Sequence, residues 1–160
     1  MINKQRLIKT FAELVRIDSL SFNETEAMTY VKKQLVALGF KPYSAGRPQG
    51  GAESNLVVDW AGTGPRLILN AHVDTVSPGK GIKPQRKGNR IYSDGTTVLG
   101  ADDKTGVAVI LEVLRVLKEK KLAHPTLRII FTVAEETGLD GAKALPQKVL
   151  DADYAITLDH

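Results

Sequence analysis

A chain of 160 residues with 42% hydrophobic and 25% charged residues falls in the ordinary range of globular domains and is long enough to bury a core. It has no cysteine, which excludes a disulfide framework and a thiolate metal site and leaves histidine and carboxylates as the only strong metal ligands. The net charge of +4 comes from scattered lysines and arginines with few aromatics between them, so no nucleic-acid partner is expected.

The opening segment places Leu7, Ile8, Phe11, Leu14 and Val15 on one helical face and predicts an amphipathic helix. Lys4, Arg6, Lys9 and Glu13 interrupt its apolar run. Neither a signal peptide nor a membrane span of roughly 18 apolar residues is therefore predicted, and a cytoplasmic location is expected. Ser21 followed by Glu24 is a capping-box pattern. It predicts the start of a second helix with Met28, Val31, Leu35 and Leu38 inward and Gly39 as its stop.

Strand character follows. Residues 55–60 and 66–71 are apolar runs separated by Gly62-Thr63-Gly64-Pro65, which predicts an antiparallel pair. Residues 82–87 and 90–92 flank Gly88-Asn89, a two-residue hairpin signal. A long helix is predicted over 103–120, apolar on several sides and ending in the charged run Lys118 to Lys121, where lysine suits a helix C-terminus. A β-branched strand over 127–133, a short helix over 138–145 and a strand over 154–158 complete the series. Alternating strands and helices with nearly continuous apolar strands predict an α/β fold, a mixed and mostly parallel sheet flanked by helices on both faces.

The polar residues are informative by position. One apolar run ends in His72 and Asp74, another in Glu135-Glu136 and a third in Asp159, while Asp102-Asp103 opens the long helix. Ligand sites of α/β sheets form beyond the carboxyl ends of the strands, so four segments converge on one crevice. Taken singly, each has a plain explanation: a hydrogen-bonded strand-end histidine, a helix cap, a solvated acidic pair. Taken together, so many carboxylates repel unless cations neutralise them. An imidazole with several carboxylates suits zinc, manganese or cobalt, and the charge fits two divalent ions better than one. His124, before Pro125 in a loop, has no such company and is expected at the surface.

The segments 70–76 (NAHVDTV), 99–106 (LGADDKTG), 134–138 (AEETG) and 158–159 (LD) resemble, in order and spacing, the peptidase T branch of the dizinc aminopeptidase and aminoacylase metallopeptidase family. A related lidless aminopeptidase family is a weaker match. The resemblance implies a fold like that of dizinc exopeptidases and two Zn2+ ions, with Mn2+ or Co2+ as substitutes. It implies that His72 and Asp159 hold one ion, Glu136 the other, and Asp102 bridges both. Asp74 would orient the imidazole of His72, Glu135 would be the general base, and the Asp102–Asp103 peptide bond would be cis.

The implied reaction is hydrolysis of short peptides, as in a tripeptidase or aminopeptidase. Deacylation of N-acyl amino acids, or metal binding without catalysis, are the alternatives. The resemblance further implies that residues 1–160 are the N-terminal portion of a catalytic domain. A lid that dimerises, and a returning segment with a last histidine ligand, would lie outside it. The isolated chain is then expected to be an inactive fragment.

Overall fold

The computed structural model describes residues 1–159. Two helices open the chain, α1 (Lys4–Val15) and α2 (Thr25–Ala37). Asn3 caps α1 by accepting from the Arg6 amide, and Phe11, Leu14 and Val15 of the predicted apolar face are buried. In α2, Ala27, Met28, Val31 and Leu35 point inward. Gly39, at φ +78°, turns the chain so that the Phe40 amide reaches back to the Leu35 carbonyl, the left-handed stop expected of glycine.

The capping box is not formed. Glu24 occupies the N-cap of α2 without a side-chain cap bond, and both Ser21 and Glu24 spend their side chains on distant partners. Local sequence was compatible with a cap, but tertiary partners took both groups: Ser21 donates to Asp74 Oδ2, and Glu24 accepts from the Ala134 amide.

The strands are β1 (Tyr43–Ser44), β2 (Leu56–Trp60), β3 (Arg66–His72), β4 (Gln85–Lys87), β5 (Arg90–Tyr92), β6 (Thr126–Thr132) and β7 (Tyr154–Thr157). Helix α3 (Ala101–Lys120) lies between β5 and β6, and the short α4 (Asp140–Lys143) lies between β6 and β7. The main sheet runs β1-β2-β6-β3-β7, and β4 with β5 forms the separate hairpin predicted at Gly88-Asn89. The sheet is mixed: β1–β2 and β2–β6 are antiparallel, β6–β3 and β3–β7 parallel.

The predicted pairing of β2 with β3 therefore fails, because β6 lies between them. The turn that looked like a hairpin packs against the entry to β6: the Thr63 amide donates to the His124 carbonyl, and a Cβ on Gly62 would stand 2.3 Å from the Pro125 oxygen. His124 is half-buried rather than a free surface residue, its ring 3.9 Å from that of Trp60.

Helices α1, α2 and α3 cover one face of the sheet, enclosing Leu56, Val58, Leu69, Ile129 and Phe131. The opposite face buries Val57, Ile68 and Ile130 beneath Val149, on the short 3-10 turn Gln147–Val149, and Leu145. Strands buried on both sides account for the unbroken apolar runs. Among the described residues no helix is long and apolar enough to cross a membrane.

Helix α3 is tied to α1 by Glu112, which is 1% exposed. It accepts from the Asn3 amide at 2.9 Å and the Arg6 guanidinium at 2.7 Å. Burial pushes this carboxyl up, but the hydrogen bonds from Arg6 and Asn3 outweigh it and hold it below its ordinary 4.5. A carboxyl depressed in the folded state stabilises above its unfolded pKa and loses that contribution as pH falls through the folded one. Glu112→Gln is expected to lower stability by about 2 kcal/mol at neutral pH. The deficit should vanish in acid; urea titrations of both proteins at pH 7 and pH 3 check it.

Candidate metal centre

Three adjacent parallel strands, β6, β3 and β7, end on the same side of the sheet. Their carboxyl ends deliver Glu135-Glu136, His72 with Asp74, and Asp159 to one crevice, and the start of α3 brings Asp102-Asp103 to it. The convergence expected from strand-end placement is realised. His72, Asp102 and Asp159 can bring one ligand atom each within 4.8 Å of one another, and so can His72, Glu135 and Glu136. The two triads share His72.

The imidazole is 2% exposed and held at both nitrogens. Nδ1 lies 3.3 Å from Asp74 Oδ1, and Nε2 lies 3.0 Å from Asp102 Oδ1 and 3.9 Å from Glu135 Oε2. Burial lowers the imidazole pKa, but the Asp74 and Asp102 bonds and the nearby Asp103 charge win and raise it to about 9. With no metal bound, His72 is thus an imidazolium at neutral pH, both N–H groups donating to carboxylates.

Asp74 is fully buried and does more than orient His72. Its Oδ1 also accepts from the Glu135 amide at 3.1 Å, and its Oδ2 accepts from the Glu136 amide at 3.2 Å and the Ser21 hydroxyl at 2.7 Å. These donors, with the imidazolium, hold its carboxyl below the ordinary 3.8 against the opposing effect of burial. Glu135 and Glu136 move the other way. Burial is the largest cause for each, and the surrounding carboxylates add to it against the imidazolium.

Helix α3 begins irregularly. The Asp102–Asp103 bond is cis, and both residues depart from helical φ/ψ. The side chain of Asp102 is 44% exposed toward the crevice, while Asp103 is buried. Asp103 Oδ1 accepts from the Gly106 amide, and burial pushes this carboxyl up to about 7. Glycine is required at 106, since a Cβ there would lie 2.5 Å from Asp103 Oδ1 and 2.6 Å from the Leu158 carbonyl.

Sequence reasoning missed Lys104. It is fully buried, its ammonium donating to the Ile17 carbonyl at 2.7 Å, and burial lowers it to about 8 against the charges of Asp18 and Asp74. A lysine in an apolar helical stretch is the one signal that could have marked it.

Residues 55–159, which carry all the carboxylates of the crevice, match the model of peptidase family M28. The chain belongs to that family. The uncharacterized protein YqjE of Bacillus subtilis is 40% identical over 163 residues, covering 99% of this chain and 44% of the relative. Peptidase T of Escherichia coli is 48% identical over 69 residues, 43% of this chain and 17% of that protein. Among solved structures, a tripeptidase from Staphylococcus aureus superposes with a TM-score of 0.94 at 44% identity, over 100% of this chain and 44% of the other. The likeness to peptidase T read from the four motifs is thus found again over 69 residues, and the likeness to a tripeptidase extends over the whole chain. The chain spans less than half the length of these relatives.

Proposed function

We propose that this crevice is the dinuclear zinc centre of a peptidase that hydrolyses short peptides. The observation that carries the reading is the pair of ligand triads sharing His72. Four carboxylates within reach of one imidazole, with no sulfur, form a donor set for borderline or hard divalent ions. The buried Asp103 Oδ2 has no hydrogen-bond partner among the described residues. The donors fit the group.

In this reading His72 and Asp159 would hold one ion and Glu136 the other, with Asp102 available as a shared ligand. Bound zinc lowers the pKa of a water toward neutrality, to about 7 at a catalytic site, and polarises the scissile carbonyl. The chain's own groups do the rest. Asp74 accepts from Nδ1 of His72 and so fixes which ring nitrogen is free to ligate. Glu135 takes the proton of the attacking water on its carboxylate and returns it to the leaving amine. The near approach of Glu135 to His72 equally allows it to ligate, and the variant argued in the Discussion separates the two roles.

Peptides as substrates rest on the family and on the likeness to a tripeptidase and to peptidase T. Because the chain spans 44% of the tripeptidase, turnover is proposed for a polypeptide of the relatives' length. For the 160 residues alone we propose zinc binding without turnover. Calorimetric zinc titration paired with a tripeptide assay on the same sample is expected to give saturable binding and no hydrolysis. Absence of any binding would overturn the metal centre, and chelator-sensitive hydrolysis would overturn the assignment of turnover to a longer chain.

A further inference from the structure

Past Thr132 the β6 ladder ends, and the next four backbone amides need other acceptors. Each finds a side-chain oxygen. The Val133 amide donates to Asn55 Oδ1 at 3.2 Å, Ala134 to Glu24 Oε1 at 2.9 Å, Glu135 to Asp74 Oδ1 at 3.1 Å and Glu136 to Asp74 Oδ2 at 3.2 Å. The three acceptor residues come from separate parts of the chain, and each has 0% exposure. Glu24 Oε1 accepts a second bond, from the Phe22 amide at 2.8 Å, while its Oε2 is buried with no hydrogen-bond partner among the described residues. Ala134 sits at φ +47°, a left-handed conformation that a residue with a side chain keeps only when its surroundings impose it.

Satisfying buried amides is obligatory, yet neutral oxygens would serve. Burying a carboxylate is costly, and more so beside Asp74 in a crevice already crowded with acids. What the long side chain at position 24 provides is reach: one accepting oxygen joins the connector ahead of α2 to the turn after β6, 110 residues away in sequence.

We infer that Glu24, with Asn55, is a positioning residue that sets the 133–136 turn and thereby the carboxylates of Glu135 and Glu136. The inference rests on the metal-centre reading for its purpose but not for its geometry. Asn55 continues the hold on the far side of the turn, its amide group donating to the Gly141 carbonyl at 2.7 Å and to the Ala45 carbonyl at 3.1 Å.

The test uses the 160-residue chain with Glu24→Ala, Glu24→Gln and, as a core control away from the crevice, Val31→Ala. Hydrogen exchange of the 133–136 amides without metal, zinc affinity by calorimetry and thermal melting are measured on each. Glu24→Ala is expected to raise exchange locally and to weaken zinc by about tenfold, the lower end for loss of a group that orients ligands. Glu24→Gln keeps the accepting oxygen and should restore both. Val31→Ala should lower the melting temperature and leave zinc affinity unchanged.

The inference is overturned if Val31→Ala weakens zinc as much as Glu24→Ala, or if the 133–136 amides stay protected in Glu24→Ala. Should Glu24→Ala fail to fold, Glu24→Met fills similar space without an acceptor and carries the same expectation. If no protein in the set binds zinc, the metal centre fails, and the exchange data still decide whether Glu24 holds the turn.

Discussion

In an active polypeptide containing these residues, Glu135→Ala is expected to cut kcat by about 10²–10⁴-fold, the usual contribution of a positioned acid–base group. Zinc content should be retained. The carboxylate of Glu135 stands 3.9 Å from His72 Nε2 and is partly open to the crevice, so removing it creates no buried void. The backbone hold on position 135 runs through its amide, which alanine keeps. Asp102, Asp159, His72 and Glu136 supply the proposed ligands without it. Metal analysis and steady-state kinetics on the same sample check the result. Equal loss of zinc and turnover would make Glu135 a ligand, as its membership of the second triad allows, and a different base would be needed.

The candidate ligands were legible in the sequence for a simple reason. Strands covered on both faces are apolar along their whole length, so the first acid after each run marks the point where the chain leaves the sheet. His72, Asp74, Glu135 and Glu136 stand at such exits; Asp159 follows β7, whose apolar run lies exposed at the sheet edge, and the three strands are neighbours and parallel. Strand order was not legible. The cluster Gly62 to Pro65 reads as a hairpin locally, and only the packing of residues 124–125 against it shows that β6 takes the place between β2 and β3.

Ser21 and Glu24 illustrate the same limit. Their spacing fits a helix cap, but their partners are Asp74 and Ala134, 53 and 110 residues away. Local pattern carries no information about partners at that separation. The buried charge of Lys104 was hidden for a related reason, since its acceptor is a backbone carbonyl on the loop after α1.

Zinc binding at pH 7 is expected to release about one proton from His72, because the imidazole must be neutral to ligate and its pKa without metal is about 9. Below that pH this group alone makes the apparent affinity rise about tenfold per pH unit. Calorimetry in buffers of different ionisation enthalpy counts the protons.

The two forms also differ in stability. A histidine whose pKa is raised by folding stabilises fully below its unfolded value, near the ordinary 6.5, and that contribution is lost as pH rises through about 9. The metal-free chain should therefore lose stability over that window, while in the zinc-loaded chain His72 is neutral, as in the unfolded chain, and contributes almost no pH dependence there. Asp74→Asn sets two effects against each other. It removes the main support of the imidazolium, which eases deprotonation, but it also removes the acceptor that orients the ring and weakens the hold on the Glu135 and Glu136 amides. Outer partners of metal ligands are worth about 10–100-fold in affinity, more than the proton competition returns at pH 8, so the net expectation is weaker zinc binding with a shallower pH slope. A steeper slope in Asp74→Asn would show that the carboxylate holding the proton on His72 is a different one.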